Sequence, residues 1–276
     1  MAEALEPPFN RPDVGFNAMP GWSWVGCYGG HYLQAELLTD FEHGFFTRQW
    51  HGRGPEVLAG YLSAGVSVHR PRQVHGALVL AASAASADPW PDADGLVSDV
   101  GGQSLWVCGA DCTPVLLADP VRGAVAACHA GWRGVAAGIL AEAVTQLAAG
   151  GSDPADLRVA LGPAVSGERY QVERGVSEQV ADGLARIEAG QKGNPADRTK
   201  AMAALIASGA VREDQEPGKH RLDIRRAAVL QLERLGIPEG QISVCPLCTV
   251  TEPDLFHSWR RDQVKAVQWS GIVAQA

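Results

Sequence analysis

Across 276 residues the sequence has no uninterrupted apolar run of the roughly 18 residues that a membrane-crossing helix requires. Residues 1–16, MAEALEPPFNRPDVGF, carry acids and prolines where a secretory signal carries basic residues and an apolar stretch. The expected location is therefore the cytoplasm. Positive charge is scarce: 23 Lys and Arg face 31 Asp and Glu, for a net charge of −8 and a pI near 5.5. That balance argues against a binder of nucleic-acid backbones or of anionic membrane surfaces. Six cysteines are too sparse for a disulfide scaffold, so in a reducing compartment they are thiols, metal ligands or nucleophiles. Gly (32) and Pro (17) fall short of collagen-like or low-complexity levels, and the 46% apolar fraction is enough for a sizeable core. No repeat is visible, and at about 150 residues per domain the length allows one large domain or two small ones. A single domain over residues 1–276 is expected.

Familiar signatures are missing too. G-x-G-x-x-G, G-x-x-x-x-G-K-[ST], G-x-S-x-G and H-E-x-x-H do not occur, which leaves the dinucleotide-binding, P-loop, α/β-hydrolase and zincin readings without an anchor. The zinc-deaminase pattern fails as well, because Cys245-Pro246 runs in the wrong order.

What is present alternates strand and helix. Strands are expected at Trp22–Cys27, Tyr32–Leu38, Gly44–Thr47, Gln73–Leu80, Ser104–Cys108, Val115–Ala118, Gly123–Cys128, Val159–Leu161, Gln241–Cys245 and Lys265–Trp269. Several are almost continuously apolar, as strands covered on both faces should be. Helices are expected at Pro55–Ala64, Arg133–Leu147, Arg174–Ile187, Asp197–Ala207 and Asp223–Leu235, the last capped by Asp223 and stopped at Gly236. Ala84–Asp94 and Gln191–Asn194 are the least patterned stretches. The fold class predicted is an α/β sandwich, with a mixed β-sheet flanked by helices.

Polar residues concentrate at the ends of apolar strands in Arg72–Gly76, Ala110–Pro114 and His129–Gly134. The Ala-Gly-Trp-Arg-Gly turn after His129 leads into a helix whose free N–H groups can hold an anion. His75, Cys112 and His129 from three segments would supply three ligands to zinc and leave the fourth tetrahedral position to water, the pattern of a catalytic site. Zinc lowers the pKa of such a water from about 15.7 towards 7. A metal-free alternative makes Cys112 a thiolate nucleophile, His129 its base, and Asp111 or Asp94 the orienting acid. A third has Cys112 as a small buried hydrophobe and both histidines as structural. Cys245 and Cys248 form a lone C-x-x-C, taken as structural. Arg48, Arg133, Arg260 and Arg261 are candidate anion clamps.

RQVHG (72–76), ADGLVS (93–98), ADCTPVLLADP (110–120), HAGWRGVAAGIL (129–140), LGPAV (161–165), LDIRRAAVLQL (222–232) and CTVTEPDLFHSWRRD (248–262) together resemble a known family. It was first called multicopper polyphenol oxidase, or laccase-domain proteins, and is now described as purine nucleoside phosphorylases. The resemblance spans about residues 73–262. It implies that His75, Cys112 and His129 are zinc ligands in a pocket at the edge of an α/β sandwich, with copper an alternative occupant. It also implies phosphorolysis of adenosine, inosine, guanosine and methylthioadenosine, and adenosine deamination at the same site. The partners implied are a nucleoside and phosphate, with no nucleic acid and no membrane. Arg48 stands where the family places polar residues facing the substrate, and Arg133 and Arg261 are phosphate candidates.

The sequence departs from the family pattern at three places: Gln171 stands where the family carries Glu, His43–Trp50 replaces a Ser-x-Asn-Leu-Gly segment, and His257 is an added histidine, a fourth metal neighbour or a surface residue. A laccase with trinuclear and blue copper takes about ten histidines, many in His-x-His pairs. This chain has eight and no such pair. Relatives described as peptidoglycan editing factors suggest an amidase acting on muramoyl precursors as another activity.

Overall fold

Apolar runs bounded by Gly, Pro and Asp cut the chain into short strands, and the computed structural model, which describes residues 19–188 and 198–275, gathers them into three sheets. The strands are β1 (Trp22–Cys27), β2 (Gly30–Ala35), β3 (His43–Phe46), β4 (Ser67–His69), β5 (Val79–Ala81), β6 (Gly95–Val97), β7 (Gln103–Gly109) and β8 (Thr113–Ala118). There follow β9 (Val125–Ala130), β10 (Arg158–Leu161), β11 (Gln171–Glu173), β12 (Val211–Glu213), β13 (Lys219–Leu222), β14 (Ile242–Val244) and β15 (Gln268–Val273). The helices are α1 (Pro55–Leu62), α2 (Trp132–Ala137), α3 (Ile139–Ala149), α4 (Arg174–Glu188), α5 (Arg198–Ala207), α6 (Ile224–Arg234) and α7 (Trp259–Asp262). The N-terminal segment 1–16, the stretch Gln191–Asn194 and the expected helix start at Asp197 lie outside the described residues.

One six-stranded sheet has the order β1-β2-β3-β15-β7-β4 and the other β14-β10-β8-β9-β6-β5, while β11-β13-β12 make a small antiparallel sheet. The expected α/β class holds. Its mixed pairing is divided between two sheets, with β4 parallel to β7 in the first and β5 to β6 and β10 to β14 in the second.

Phe45, Leu105 and Val107 of the first sheet meet Leu96, Leu116 and Ala127 of the second in a shared cluster. The other face of the second sheet, with Val115, Leu117 and Cys128, packs on Val135, Leu140, Leu147 and Leu184 of the helices. On the outer face of the first sheet, Tyr32, Phe46 and Trp106 pack on Leu58 and Ala59 of α1. β8 and β9 are therefore buried on both faces, which is why their sequences show no alternation. Burying one Leu such as Leu116 contributes about 1.5–3 kcal/mol, so the sandwich is a firm base for the loops at its edge.

Local differences from expectation have local causes. The helix read as Arg133–Leu147 breaks at Gly138, whose φ of 91° is left-handed, into α2 and α3. The strand read at Gln73–Leu80 shrinks to β5, because its first amides bond to a carboxylate instead of a neighbouring strand. The last strand starts at Gln268 rather than Lys265. Asp223 does cap α6, accepting from the N–H groups of Arg225 and Arg226. Among the described residues, no helix is long and apolar enough to cross a membrane.

Candidate functional site

Strand register brings the three polar segments to one edge of the second sheet. Thr113 lies opposite Ala130 and Pro114 opposite His129, so Cys112 enters β8 beside the end of β9. Gly95 lies opposite Cys128, which puts Asp94, one residue earlier, against His129. Val79 pairs with Gly95, so the 73–78 loop runs past the same place. The chain leaves the first sheet at Gly109 and joins the second at Thr113, and the turn between them carries Cys112 across the edge of the sandwich.

Among the described residues three non-glycine positions have a left-handed φ, and two are here: His75 at 61° and Asp111 at 92°. Such positions cost on the order of 1–3 kcal/mol and persist only where surrounding bonds enforce them. Two buried carboxylates do the enforcing. Asp94 accepts from the N–H groups of Val74 (3.2 Å), His75 (2.9 Å) and Gly76 (2.6 Å), and from Nδ1 of His129 (2.9 Å). Asp111 accepts from the Thr249 hydroxyl (2.6 Å) and from the N–H of Arg260 (2.7 Å), while its carbonyl accepts from Val165 (3.0 Å). Gln73 completes the scaffold: its amide exchanges two hydrogen bonds of 2.7 Å with the main chain of Cys108, tethering the His75 loop to the first sheet.

One donor atom each from His75, Cys112 and His129 falls within 4.8 Å of the others. The two imidazoles stand edge to face, with ring centroids 4.9 Å apart. Gly131 makes the room, since a Cβ there would lie 2.8 Å from Cys112 Sγ and 3.8 Å from His75 Cδ2. Electrostatics favours a charged pair. Burial raises the Cys112 thiol, but hydrogen bonds from His129 and His75 outweigh it and bring it down to about 6. Burial lowers His129, yet Asp94 and Cys112 hold it up at about 9. Asp94 stays below the usual carboxylate range: burial opposes this, and bonds from His129 and Gly76 overcome it. Because that carboxylate only accepts, Nδ1 of His129 carries the proton and Nε2 is left for the cluster.

Two imidazoles and a thiolate suit a borderline-soft divalent cation such as zinc, and the cradle at Gly131 together with the Asp94-oriented imidazole fits one ion. The same line of Cys112, His129 and Asp94 also serves a thiolate nucleophile. Of the two candidate orienting acids, Asp94 takes that place and Asp111 faces Thr249 and Arg260 instead.

The candidate arginines separate. Arg133 is exposed and lies on the ring of Trp132, 4.5 Å from its centroid. Arg260 is exposed and lies on Tyr170 at 4.6 Å, giving one hydrogen bond to the Gln171 carbonyl. Arg261 spends its guanidinium on the carbonyls of Thr249, Val250 and Phe256 and on Asp262. Arg48 donates to the Pro253 carbonyl. His257 is buried with Nε2 unpartnered and lies outside the three-donor cluster, its ring 5.0 Å from that of His51.

Tyr170 ties these groups together. Its hydroxyl is pushed up to about 12, by burial first and then by Cys112 and Asp111, against the opposing pull of Arg260 and Arg133, so all four lie within electrostatic reach of one phenol. Sequence reasoning passed over Tyr170, Gln73 and the Gly131 contact. Their motifs were visible, but their bonding partners lie across the sandwich.

Residues 56–275 match the family model described as "Multi-copper polyphenol oxidoreductase laccase". The chain is 42% identical, over 92% of its length and 97% of the other's, to a protein of Synechocystis named a purine nucleoside phosphorylase. It is 39% identical, over 69% of its length and 68% of the other's, to a Streptomyces coelicolor protein of the same name. Among solved structures, YlmD from Geobacillus stearothermophilus superposes with a TM-score of 0.73 at 26% identity, covering 92% of this chain and 99% of that one. YfiH from Bacillus licheniformis, titled a hypothetical protein, gives 0.71 at 28% identity, covering 88% and 96%.

Proposed function

The chain belongs to the multi-copper polyphenol oxidoreductase laccase family, and from that premise we propose that it is a zinc-dependent purine nucleoside phosphorylase. Its substrates are adenosine, inosine, guanosine and methylthioadenosine, with adenosine deamination at the same site. The name carried by the Synechocystis relative, at 42% identity along nearly the whole chain, supports the reaction class. The single observation that carries the site is the convergence of His75, Cys112 and His129 within 4.8 Å.

In this reading those three residues hold the ion, which when bound supplies Lewis-acid character and activates water. The rest is work for the chain's own groups. Asp94 fixes the His129 tautomer and the His75 turn before substrate arrives. Gly131 keeps a side chain out of the space next to Cys112 Sγ. The exposed guanidiniums of Arg133, on Trp132, and Arg260, on Tyr170, orient an anionic co-substrate.

In phosphorolysis an oxygen of monohydrogen phosphate forms a bond to ribose C1′ and the C1′–N9 bond breaks. The electron pair stays with the purine, which takes up a proton equal to the one the phosphate brought. In deamination one water replaces the C6 amino group, which leaves as ammonia.

The test is incubation of the pure protein with adenosine, with and without phosphate, followed by separation of adenine, inosine and hypoxanthine. Adenine appearing only with phosphate, together with inosine in its absence, is expected. With zinc present at about one ion per chain, failure to form either product overturns the reading and moves the search to the amidase or copper-oxidase chemistries.

A further inference from the structure

Two exposed arginines stand beside the three-donor cluster, and each belongs to a segment bound to the turns that build it. The Arg260 N–H bonds to Asp111, the residue before Cys112, at 2.7 Å. Arg133 lies two residues past Gly131, where a Cβ would lie 2.8 Å from Cys112 Sγ. Their guanidiniums lie against the rings of Tyr170 and Trp132. Among the described residues neither is paired with a carboxylate, and Asp111, which accepts from the Arg260 main chain, has both oxygens occupied. A guanidinium laid on an aromatic ring keeps its planar fork of N–H donors in place, and Arg260, which gives one donor to the Gln171 carbonyl, keeps the others for a tetrahedral oxyanion. Arg261, one residue on, is different in kind, because its donors close the 249–256 loop onto itself.

We propose that Arg133, held on Trp132, and Arg260, held on Tyr170, form a two-guanidinium clamp for inorganic phosphate beside Cys112. The proposal rests on the phosphorylase reading for its role, and names the subsite from which the attacking oxygen comes. The Arg260 segment is bonded to the residue before Cys112 and its guanidinium lies on Tyr170, while Arg133 follows the glycine that lies against Cys112 Sγ, so both side chains start from the walls of the cluster.

The experiment measures initial rates of phosphorolysis against phosphate and against nucleoside for wild type, Arg133→Ala, Arg260→Ala and Arg260→Lys. It is accompanied by the phosphate-free deamination rate and by calorimetric titration of the resting protein with inorganic phosphate. Each alanine variant is expected to raise the phosphate KM about tenfold or more, as loss of a charge-assisted contact does. The nucleoside KM and the deamination rate should hold within about threefold, and Arg260→Lys should recover part of the loss. A phosphate KM that stays at the wild-type value in either alanine variant overturns the clamp. Should the wild type carry out no phosphorolysis, the functional reading fails separately and the calorimetry decides: phosphate binding lost in both alanine variants sustains the clamp as an oxyanion site, and no binding by the wild type overturns it.

Discussion

Two corners of the second sheet carry a thiol on the same edge, and they behave in opposite ways. Cys112 precedes β8, and Cys245 follows β14, two strands away. Burial alone pushes both thiols up. At Cys112 two imidazoles face the sulfur and bring it down to about 6. At Cys245 the positive group within reach, Arg225, gives its Nη1 to the carbonyls of Cys245 and Leu247, and the thiol stays at about 12. Cys245 belongs to the more recognisable local pattern, a C-x-x-C, while Cys112 stands alone in sequence. What faces the sulfur across the fold decides the chemistry, and spacing along the chain does not.

The largest effect that sharpens this contrast comes from deleting each sulfur. Cys112→Ala or His129→Ala should reduce nucleoside turnover by about 10³-fold or more, the scale on which positioned acid–base and metal groups act. Metal content should fall from about one zinc per chain towards zero. Cys245→Ala should keep metal and turnover within about threefold, its cost being a small buried cavity. Elemental analysis and rate assays on folded protein, checked by circular dichroism, would erase the contrast if the two variants behaved alike.

How far the sequence revealed this corner depends on the kind of signal. Continuous apolar runs in β8 and β9 announced strands buried on both faces, and the polar residues at their ends marked the edge where His129 and Cys112 meet. Asp94 was harder. It closes a Pro- and Ala-rich stretch with no periodicity, yet it is fully buried, because three consecutive amides and an imidazole satisfy it. Nothing in local pattern reports a bond to residues 18 to 35 positions away. The Gln73–Leu80 segment departs from the expected strand for the same reason, since the amides of Val74, His75 and Gly76 bond to the Asp94 carboxylate and not to a ladder. Arg260 and Arg261 are indistinguishable as letters. The fold turns one outward onto Tyr170 and the other inward onto carbonyls.

A smaller effect isolates the positioning carboxylate. Asp94→Asn keeps an acceptor oxygen but loses the charge, so it cannot satisfy three amides and hold the His129 tautomer together. Zinc affinity, measured by competition with a chelating dye, should fall about 10–100-fold, as is usual when the group orienting a ligating imidazole is altered. Hydrogen exchange at Val74, His75 and Gly76 in the metal-free protein should quicken at the same time, because the left-handed turn loses its enforcement. Exchange around Cys245 should not change. An unchanged affinity together with unchanged exchange would remove Asp94 from the account of why the two corners differ.

The smallest effect concerns pH and the metal-free protein. Cys112 titrates near 9.0 unperturbed and about 6 in the fold, so its contribution is complete above pH 9 and lost as pH falls through 6. His129 is raised from 6.5 to about 9, so its contribution is complete below 6.5 and lost as pH rises through 9. Between pH 6.5 and 9 the two dependences cancel, because folded and unfolded chains each hold one proton on the pair. In Cys112→Ala only Asp94 holds the imidazolium, and that stabilisation drains away as pH rises. The stability advantage of wild type over Cys112→Ala, read from urea midpoints with chelator present, should therefore widen from pH 6.5 to 9. The advantage over Cys245→Ala should stay constant up to about pH 8 and then narrow towards 9, because the unfolded thiol ionises near 9.0 while burial keeps the folded one protonated. An advantage over Cys112→Ala that does not change with pH would mean that sulfur and imidazole share no proton, and the low thiol pKa behind the comparison would have to be abandoned.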